Sequence, residues 1–435
     1  MSTEELYKIF LKAENGVTTD TRNCGDGMMF FALRGENFNG NQFAHKAMNS
    51  GCIAAIVDDI NVEKAEGIII VDNVLESLQN LARHYRRSFV GMPVLALTGS
   101  NGKTTTKELT TAVLSRKFKV HATKGNLNNH IGVPLTILSA PKDCQFLVVE
   151  MGANHIGEIA TLARIAEPNY GLITNIGLAH LEGFGGEDGV KKGKKELFDY
   201  LSKIDGSKVF VNEGHEKLME VSSGLDRVIY GTNENKPVVR FEMERGSSRR
   251  MFVWAEEGYE SPRKGVQLEG DYNLDNIVAA ITIGRYFSVE RENISAAISD
   301  YAPTNNRSQL VKTEMNSILL DAYNANPSSM RESIKSFVNN YDGDKLVILG
   351  EMRELGDFSI DSHTAIVKLC DELGVDGVFV GVEFNKVAKS STVNGKFYEE
   401  IEGLFVELEN KKVVGKNILL KGSRGMAMER LLEHL

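Results

Sequence analysis

Residues 95–106, LALTGSNGKTTT, constrain the fold more than any other part of the sequence. They begin as a continuous apolar run, which is typical of a parallel strand covered by helices on both faces. The run passes directly into a loop with two glycines, and residues 103–116 then follow with a helical pattern of apolar positions. A strand, a tight loop and a helix in this order predict an α/β domain with a parallel sheet.

The loop in this segment has the composition of a phosphate-binding loop. Gly99 and Gly102 let the backbone turn its N–H groups toward an anion. Lys103 would place a positive charge near the β and γ phosphates, and the Thr104 hydroxyl would bind a magnesium ion. Leu97 stands where a standard Walker A loop has its first glycine, so the loop is the shorter form G-x-x-G-K-T-[TS]. The residues predicted to bind ATP here are Gly99, Ser100, Asn101, Gly102, Lys103, Thr104 and Thr105.

The length of 435 residues is too large for one ordinary hydrophobic core and predicts several domains. Gly91, Met92 and Pro93 interrupt the chain before the phosphate loop, and residues 302–304 form a second interruption. We therefore predict three α/β domains: a small N-terminal domain (1–92), a central mononucleotide-binding domain with a parallel sheet and the phosphate loop (93–303), and a Rossmann-like C-terminal domain (304–435). Residues 238–268 of the central domain are predicted to be rich in β-strands.

Composition and charge exclude several classes of function. The net charge of −9 argues against nucleic acid as a partner, because binding a polyphosphate needs a clustered positive surface. The four cysteines lie far apart without a C-x-x-C pair, which predicts buried thiols rather than a zinc site or a disulfide framework. No apolar stretch approaches the ~18 residues of a membrane span, and Glu4 and Glu5 stand where a signal peptide would be positive. These features predict a cytoplasmic protein.

Two polar residues follow apolar strands of the predicted central sheet. Glu150 ends the run FLVVE, and His180 lies just beyond the run at 170–176. Ligands of open α/β sheets bind in the crevice at the carboxyl ends of the strands, and a carboxylate suits a magnesium ion. We predict that both side chains reach the crevice of the phosphate loop. A chance acid at the strand end and a structural histidine are the alternatives.

The run EDGVKKGKKELF contains Lys191, Lys192, Lys194 and Lys195. Spacing alone indicates the solvated face of a helix.

The loop GSNGKTT resembles that of the Mur ligases and the folylpolyglutamate synthases, which use ATP to join a carboxylate to an amine. Five further segments resemble the branch of the Mur ligases that adds D-alanyl-D-alanine to UDP-N-acetylmuramoyl-tripeptide, a peptidoglycan precursor. This resemblance implies an acyl-phosphate intermediate, ATP and two magnesium ions as cofactors, and these two small-molecule substrates. The five segments lie in order along all three domains, at residues 123–138, 150–159, 175–184, 321–330 and 349–357.

The resemblance also implies roles for individual residues. Lys194 would react with carbon dioxide to form a carbamate that helps hold the second magnesium, which requires a neutral amine. The implied catalytic residues are Lys103, His180 and Lys194, and the implied metal ligands are Thr104, Glu150, His180 and Lys194. For the nucleotide, the resemblance implies adenine contacts by Asn273 and Asn276, a cation at the phosphates from Arg307, and ribose binding by Asp321.

Substrate contacts are implied in two places. The first domain would bind the uridine nucleotide, and the central and C-terminal domains would bind the peptide and the dipeptide amine. The residues implied are Thr21, Arg22, Asn37, Asn126, Asn128, Asn129, Asn324, Asn326 and His363.

Three alternatives stay open at this point. A sister Mur ligase adding another amino acid and a folylpolyglutamate-synthase-like ligase share the chemistry, whereas a nucleotide-binding switch would have no ligase activity. Since the implied ATP contacts lie on two domains, we also expect the C-terminal domain to close on the central one in a monomeric protein.

Overall fold

The computed structural model describes residues 1–231, 237–243, 250–303, 306–390 and 392–435. Within these ranges the strands form five sheets, of which three are mainly parallel and are covered by helices. The predicted three-part α/β fold is confirmed. Residue 304, where the third domain was predicted to begin, and residues 244–249 of the predicted β-rich segment lie outside the described residues.

The N-terminal domain contains a four-stranded parallel sheet in the order β1-β2-β5-β6 and a short antiparallel pair, β3 with β4. Helix α3 covers the sheet because Leu78, Leu81, Ala82 and Tyr85, at helical spacing, form a buried face. The elements are β1 (Val17–Thr18), β2 (Met29–Phe31), β3 (Arg34–Gly35), β4 (Phe38–Asn39), β5 (Ala54–Val57), β6 (Ile68–Ile70), α1 (Thr3–Phe10), α2 (Ala44–Asn49) and α3 (Val74–Ser88).

The central domain is built on a six-stranded parallel sheet in the order β12-β11-β10-β7-β9-β8. Its strands are β7 (Val94–Thr98), β8 (Val120–Ala122), β9 (Phe146–Glu150), β10 (Tyr170–Ile173), β11 (Lys208–Asn212) and β12 (Arg227–Tyr230). Its first helices are α4 (Lys103–Leu114), α5 (Gly132–Leu138), α6 (Glu158–Ala166), α7 (Leu181–Phe184), α8 (Glu187–Leu201) and α9 (Glu216–Val221).

The register of the central strands positions the site. Leu97 on β7 pairs with Glu150 on β9, and Thr98 pairs with Ile173 on β10. The three strands therefore end at the same level, and the loops that follow them meet at one edge. In this sheet β9 and β8 lie on one side of β7, and β10 lies on its other side. Open α/β sheets bind ligands at such a change in the direction of the strand order.

A small antiparallel sheet and two helices complete the central domain. Helix α10 is buried on nearly all sides, because one side packs on α4 and another on the small sheet. The predicted strand-rich segment contains β13 (Val238–Met243), β14 (Arg250–Glu256), β15 (Tyr259–Glu260) and β16 (Lys264–Gly265), and the two helices that follow it are α10 (Asn273–Tyr286) and α11 (Arg291–Asp300).

The C-terminal domain has a six-stranded sheet in the order β17-β18-β22-β19-β20-β21, with only β17 antiparallel to its neighbour. The segment after residue 421 forms 3₁₀ turns at Arg424–Met426 and Met428–His434. The strands are β17 (Gln309–Lys312), β18 (Ser317–Asp321), β19 (Lys345–Gly350), β20 (Asp376–Val380), β21 (Lys396–Tyr398) and β22 (Asn417–Lys421). The helices are α12 (Pro327–Asn340), α13 (Ser359–Glu372), α14 (Val382–Ser390) and α15 (Ile401–Asn410).

No helix within the described ranges is long and apolar enough to cross a membrane. All four cysteines are free thiols; Cys52, Cys144 and Cys370 are buried and Cys24 is partly buried.

Candidate active site

A cleft of about 1060 Å³ lies at the carboxyl edge of the central sheet. The phosphate loop, the ends of β9 and β10 and the start of α10 form its central-domain wall, and residues of the C-terminal domain form the opposite wall. Most residues predicted to bind nucleotide or metal line this cleft. It is therefore the candidate active site.

Two glycines shape the phosphate loop. Gly99 has φ of +147°, and a Cβ there would lie 1.9 Å from the Thr174 hydroxyl oxygen. Gly102 has φ of +77°, and a Cβ there would lie 2.4 Å from Asn276 Oδ1. The Thr174 hydroxyl also donates a hydrogen bond to the Asn101 carbonyl at 2.6 Å. The loop is thus held by the neighbouring strand end in a shape that only glycine permits, which fits a cradle for phosphates.

Lys103 begins helix α4 and extends back over the loop. Its ammonium donates hydrogen bonds to the carbonyl oxygens of Gly99 at 2.8 Å and Ser100 at 3.2 Å. Burial is the main cause that lowers the pKa of Lys103 to about 8; the charge of Glu150 opposes this shift and that of Arg307 adds to it. Phosphate oxygens in the cradle would favour the charged form of this lysine.

Glu150 is buried at the end of β9 beside the loop. Its Oε1 accepts hydrogen bonds from the Thr104 hydroxyl at 3.2 Å and from Asn128 Nδ2 at 2.8 Å. Its Oε2 is buried and accepts no hydrogen bond. A carboxylate oxygen without a hydrogen bond, next to a threonine hydroxyl, fits the oxygen ligands that magnesium prefers.

Within the described residues, no three His, Cys, Asp or Glu side chains converge as a ready-made metal site. The predicted ligand set contains only two such residues, Glu150 and His180. Oxygen from Thr104, from a modified Lys194 and from phosphate would have to supply the rest.

Lys107 is a buried residue of the site that the sequence analysis missed. Its ammonium lies 3.8 Å from Glu150 Oε2 and 3.8 Å from Glu108 Oε1, and its side chain is 4% exposed. It follows Lys103 by four residues, so both project from one side of α4. That spacing was the signal in the sequence that could have identified it.

Lys194 differs from the rest of its lysine run. Lys191 and Lys195 form ion pairs with Glu220 and Asp199 at the surface, as a solvated helix face would. Lys194 is fully buried; its Nζ donates to the Ala153 carbonyl at 3.2 Å and lies 5.1 Å from the centre of the Phe184 ring. Burial and, second, the charge of Lys103 lower the pKa of Lys194 well below its usual value. The neutral amine that a carbamate requires is therefore favoured.

His180 stands at the N-terminal end of α7 in the left-handed conformation, with φ of +52°. Its Nδ1 forms a hydrogen bond with the carboxylate of Glu354 from the C-terminal domain. His180 lines the cleft as predicted. Glu354 was not identified from the sequence.

The residues predicted to contact adenine are joined in a buried network. Asn276 accepts from the Thr106 hydroxyl at 2.9 Å and donates to Asn273 Oδ1 at 2.7 Å. Asn273 donates to the Ser308 hydroxyl at 3.2 Å, and Tyr272 also shares a hydrogen bond with Ser308 at 2.9 Å. Asn273 is the first residue of α10 rather than its N-cap, which is Tyr272. The network joins the helix of the phosphate loop to the start of the C-terminal domain.

Arg307 and Asp321 reach the cleft from the C-terminal domain. The Arg307 guanidinium lies 3.6 Å from the centre of the Tyr323 ring. Lys421 pairs with Asp321 at 2.5 Å because β22 lies beside β18 in register. Burial opposes ionisation of Asp321, but the charge and hydrogen bond of Lys421 and a hydrogen bond from Ser333 outweigh it and lower the pKa.

Two further groups of the C-terminal domain contact the phosphate-loop region. Asn326 Nδ2 donates to Asn101 Oδ1 at 2.7 Å, and the Ser328 hydroxyl accepts from the Leu178 N–H at 2.9 Å. Asn324 lines the cleft nearby. The loop is therefore contacted by both domains.

The predicted substrate residues are only partly brought together. Asn126, Asn128 and Asn129 line the cleft, and Asn129 also accepts hydrogen bonds from the first turn of α5. Thr21, Arg22 and Asn37 lie on the N-terminal domain outside the residues that line this cleft.

His363, predicted at the dipeptide surface, does not reach the cleft. Its imidazole is fully buried on α13, its Nε2 accepts from the Met352 N–H at 2.9 Å, and its Nδ1–H donates to the Ser359 carbonyl at 2.8 Å. Burial lowers the pKa of His363. Both nitrogens are used inside the domain, so this histidine stabilises the fold of its own segment.

Three family models match the chain along its length. They are described as Mur ligase family, catalytic domain (residues 15–86), Mur ligase middle domain (97–284) and Mur ligase, glutamate ligase domain (306–424).

Relatives and solved structures match nearly the whole chain. A UDP-N-acetylmuramoyl-tripeptide–D-alanyl-D-alanine ligase of Bacillus subtilis is 34% identical over 438 residues, covering 97% of this chain and 93% of its own. A crystal structure of MurF from Acinetobacter baumannii has a TM-score of 0.86 at 28% identity and covers 98% of this chain and 97% of its own. The structure of a MurF ligase from Thermotoga maritima in complex with ADP has the same fold, with a TM-score of 0.85 at 24% identity and the same coverage.

Proposed function

Because the chain belongs to the Mur ligase family, we propose that the cleft at the carboxyl edge of its central sheet joins a carboxylate to an amine. The chain is an ATP-dependent ligase that adds D-alanyl-D-alanine to UDP-N-acetylmuramoyl-tripeptide in the synthesis of peptidoglycan precursors. The observation that carries the assignment to this cleft is the buried Glu150 carboxylate beside Thr104 of the phosphate loop, at 3.2 Å.

The reaction needs an activated carboxylate, because a carboxylate itself is a poor electrophile. An oxygen of the peptide carboxylate attacks the γ-phosphorus of ATP and ADP leaves, which gives an acyl phosphate. The amine nitrogen of the dipeptide then attacks the acyl carbon, phosphate leaves and the nitrogen loses a proton. Two anions must approach each other in the first step, so Lys103 and Arg307 are placed to offset their repulsion.

The residues around Glu150 fit magnesium. Two magnesium ions would be held by Glu150 Oε2, which accepts no hydrogen bond, by the Thr104 hydroxyl, by the His180 imidazole and by a carbamate on Lys194, together with ATP oxygens. Magnesium supplies charge neutralisation at the transferring phosphoryl group. The chain itself positions these ligands: Glu150 ends β9 and His180 follows β10, whereas Thr104 and Lys194 lie on the helices α4 and α8.

Carbamate formation on Lys194 is supported by its burial. The neutral amine attacks the carbon of CO₂, a C–N bond forms, and the nitrogen releases one proton to leave an anionic carbamate. Full burial and the charge of Lys103 favour the neutral amine, and the anion formed would then be attracted to the same positive charge.

The remaining roles follow from where the residues lie. Asn273, Asn276 and Asp321 line the nucleotide end of the cleft and are proposed to bind adenine and ribose directly or through their network. We assign the uridine nucleotide to the N-terminal domain, with contacts from Thr21, Arg22 and Asn37. The peptide would extend along Asn126, Asn128 and Asn129 toward Asn324 and Asn326. The enzyme is proposed to act as a cytoplasmic monomer.

Phosphate release with UDP-N-acetylmuramoyl-tripeptide and a panel of amines tests the function. Turnover should be highest with D-alanyl-D-alanine. Equal or greater turnover with glutamate or another single amino acid would refute the assignment and favour a sister ligase. ATP hydrolysis that does not respond to any amine would indicate a nucleotide-binding switch. Running the panel with both diaminopimelate- and lysine-containing tripeptides also identifies the third residue of the substrate.

A further inference from the structure

Two residues in the left-handed conformation face each other across the boundary between the central and C-terminal domains. His180 has φ of +52° and Glu354 has φ of +62°. Residues other than glycine adopt this region at a cost of order 1 kcal/mol, and such residues concentrate at functional sites. Here the two strained residues are hydrogen-bonded to each other through their side chains.

The backbone around Glu354 fixes its position. Its carbonyl accepts a hydrogen bond from the Glu182 N–H at 3.3 Å, so side chain and main chain together contact the first turn of α7. Gly356 follows with φ of +52°, and a Cβ there would lie 3.2 Å from Glu182 Cγ. The segment after β19 therefore approaches α7 closely, and the Glu354 carboxylate has a defined place.

The contact determines which nitrogen of His180 is available to a ligand. An ionised carboxylate only accepts hydrogen bonds, so the bonded Nδ1 carries the proton. In the neutral ring, Nε2 then keeps its lone pair, which is the form of imidazole that binds a metal. The His180 side chain is 19% exposed and lines the cleft, whereas Glu354 is 51% exposed and is not among the residues that line the cleft. A carboxylate on the second nitrogen is the usual way in which a metal-binding histidine is oriented.

We propose that Glu354 is a positioning residue, contributed by the C-terminal domain, which orients the His180 imidazole of the central domain for metal binding in the cleft. The proposal rests on the metal-binding role of His180 within the proposed function. Its consequence is that docking of the C-terminal domain and ligation by His180 are coupled through one hydrogen bond. The ligand that Glu354 helps to bind is a divalent cation, although Glu354 itself does not touch it.

The test compares metal binding by Glu354→Ala and Glu354→Gln with that of the wild-type protein. Mn²⁺ in the presence of ADP serves as the probe, and electron paramagnetic resonance measures free Mn²⁺. Loss of an orienting partner typically weakens metal affinity about 10- to 100-fold, which is the range expected for alanine. Glutamine keeps an acceptor for the Nδ1 proton without the charge, so it should retain more affinity than alanine. Glu372→Gln, an exposed acid of the same domain, should bind Mn²⁺ like the wild type.

A double-mutant cycle with His180→Asn separates positioning from a general effect on the fold. Asparagine tolerates the left-handed conformation but lacks the imidazole. If Glu354 acts through His180, Glu354→Ala should change the Mn²⁺ dissociation constant little in the His180→Asn background. Equal losses in both backgrounds, or unchanged Mn²⁺ binding by Glu354→Ala, would overturn the proposal. Steady-state kinetics add a second readout: the Mg²⁺ concentration for half-maximal rate should rise while the KM for the tripeptide substrate stays near the wild-type value.

The outcome is separable from that of the proposed function. Failure of the wild-type protein to release phosphate with D-alanyl-D-alanine would refute the ligase activity. A wild-type protein that turns over normally, together with a Glu354→Ala variant that binds Mn²⁺ normally, would refute only the role of Glu354. Because the side chain is half exposed, its removal leaves no buried cavity, and a thermal melt of each variant verifies folding.

Discussion

Replacing Lys107 by methionine should destabilise the metal-free protein strongly. The ammonium lies 3.8 Å from Glu150 Oε2, and the two side chains are 4% and 2% exposed. At an effective dielectric constant of about 20, two unit charges at this distance attract by about 4 kcal/mol. Removing one partner of a buried pair costs about 3–5 kcal/mol, because the other charge stays buried without compensation. Methionine has a similar length, so the loss is electrostatic rather than a matter of packing.

Calorimetry of the metal-free protein measures this effect. For a unit of 150–250 residues, 1 kcal/mol shifts Tm by roughly 2–4 °C, so a loss of about 4 kcal/mol should lower the transition that includes the central domain by roughly 8–16 °C. Magnesium, added together with ADP, would supply positive charge near the same carboxylate. They should therefore raise Tm more in Lys107→Met than in the wild-type protein.

The control is the same substitution in a Glu150→Gln background. Without the carboxylate charge, Lys107→Met should cost much less, and the cycle isolates the interaction between the two residues. If Lys107→Met melts like the wild-type protein without metal, or loses as much in both backgrounds, the buried pair does not stabilise the site.

Three further predictions concern the loop, the lysine run and the surface. Lys194→Ala should lose activity that short carboxylates such as formate partly restore, whereas Lys195→Ala should retain it; absence of rescue would argue against a carbamate. Gly102→Ala should lower the affinity for ADP, as measured by calorimetry. Gly206→Ala should bind ADP normally, because Gly206 has a similar positive φ but no atom lies within 4 Å of the added Cβ. The hydrogen bond to Asp275 raises the pKa of His215. The stabilisation that this pair contributes is therefore complete below the pKa of the unfolded state, about 6.5, and is lost as the pH rises through the pKa of the folded state. His215→Gln should therefore lower stability at pH 5.5 by less than about 1 kcal/mol, and by less still at pH 8.5, as measured by thermal unfolding.

The sequence predicts those parts of the fold in which local pattern and burial agree. Strands β7 and β9 form at two of the predicted apolar runs, because each run is fully buried and is followed by a loop with a distinct composition. The segment after residue 421 has apolar residues at helical spacing from Met428 to Leu435, but Ala427, with φ of +47°, interrupts the chain between its two turns. It forms 3₁₀ turns that pack through Met428 and Leu431 instead of a regular helix.

The site is predicted less completely than the fold, since burial and pairing across domains are not local properties. The motif around residues 349–357 identifies a functional segment but does not show that Glu354 turns toward His180 or that His363 faces inward. Lys107 and Lys194 look like ordinary helix-surface lysines in the sequence. Only the packing of α4 and α8 on the central sheet buries them.

The contacts between the central and C-terminal domains imply that docking would be coupled to ATP binding in the proposed cleft. Asn326 bonds to Asn101 after β7, while Ser328 and Glu354 bond to groups after β10. Each such bond contributes about 1 kcal/mol net. A nucleotide held by Lys103 on one wall and Arg307 on the other would add to the docking energy. By linkage, the factor by which ATP binding favours docking is also the factor by which docking raises the affinity for ATP. A group that favours docking therefore raises the ATP affinity even when it does not touch the nucleotide.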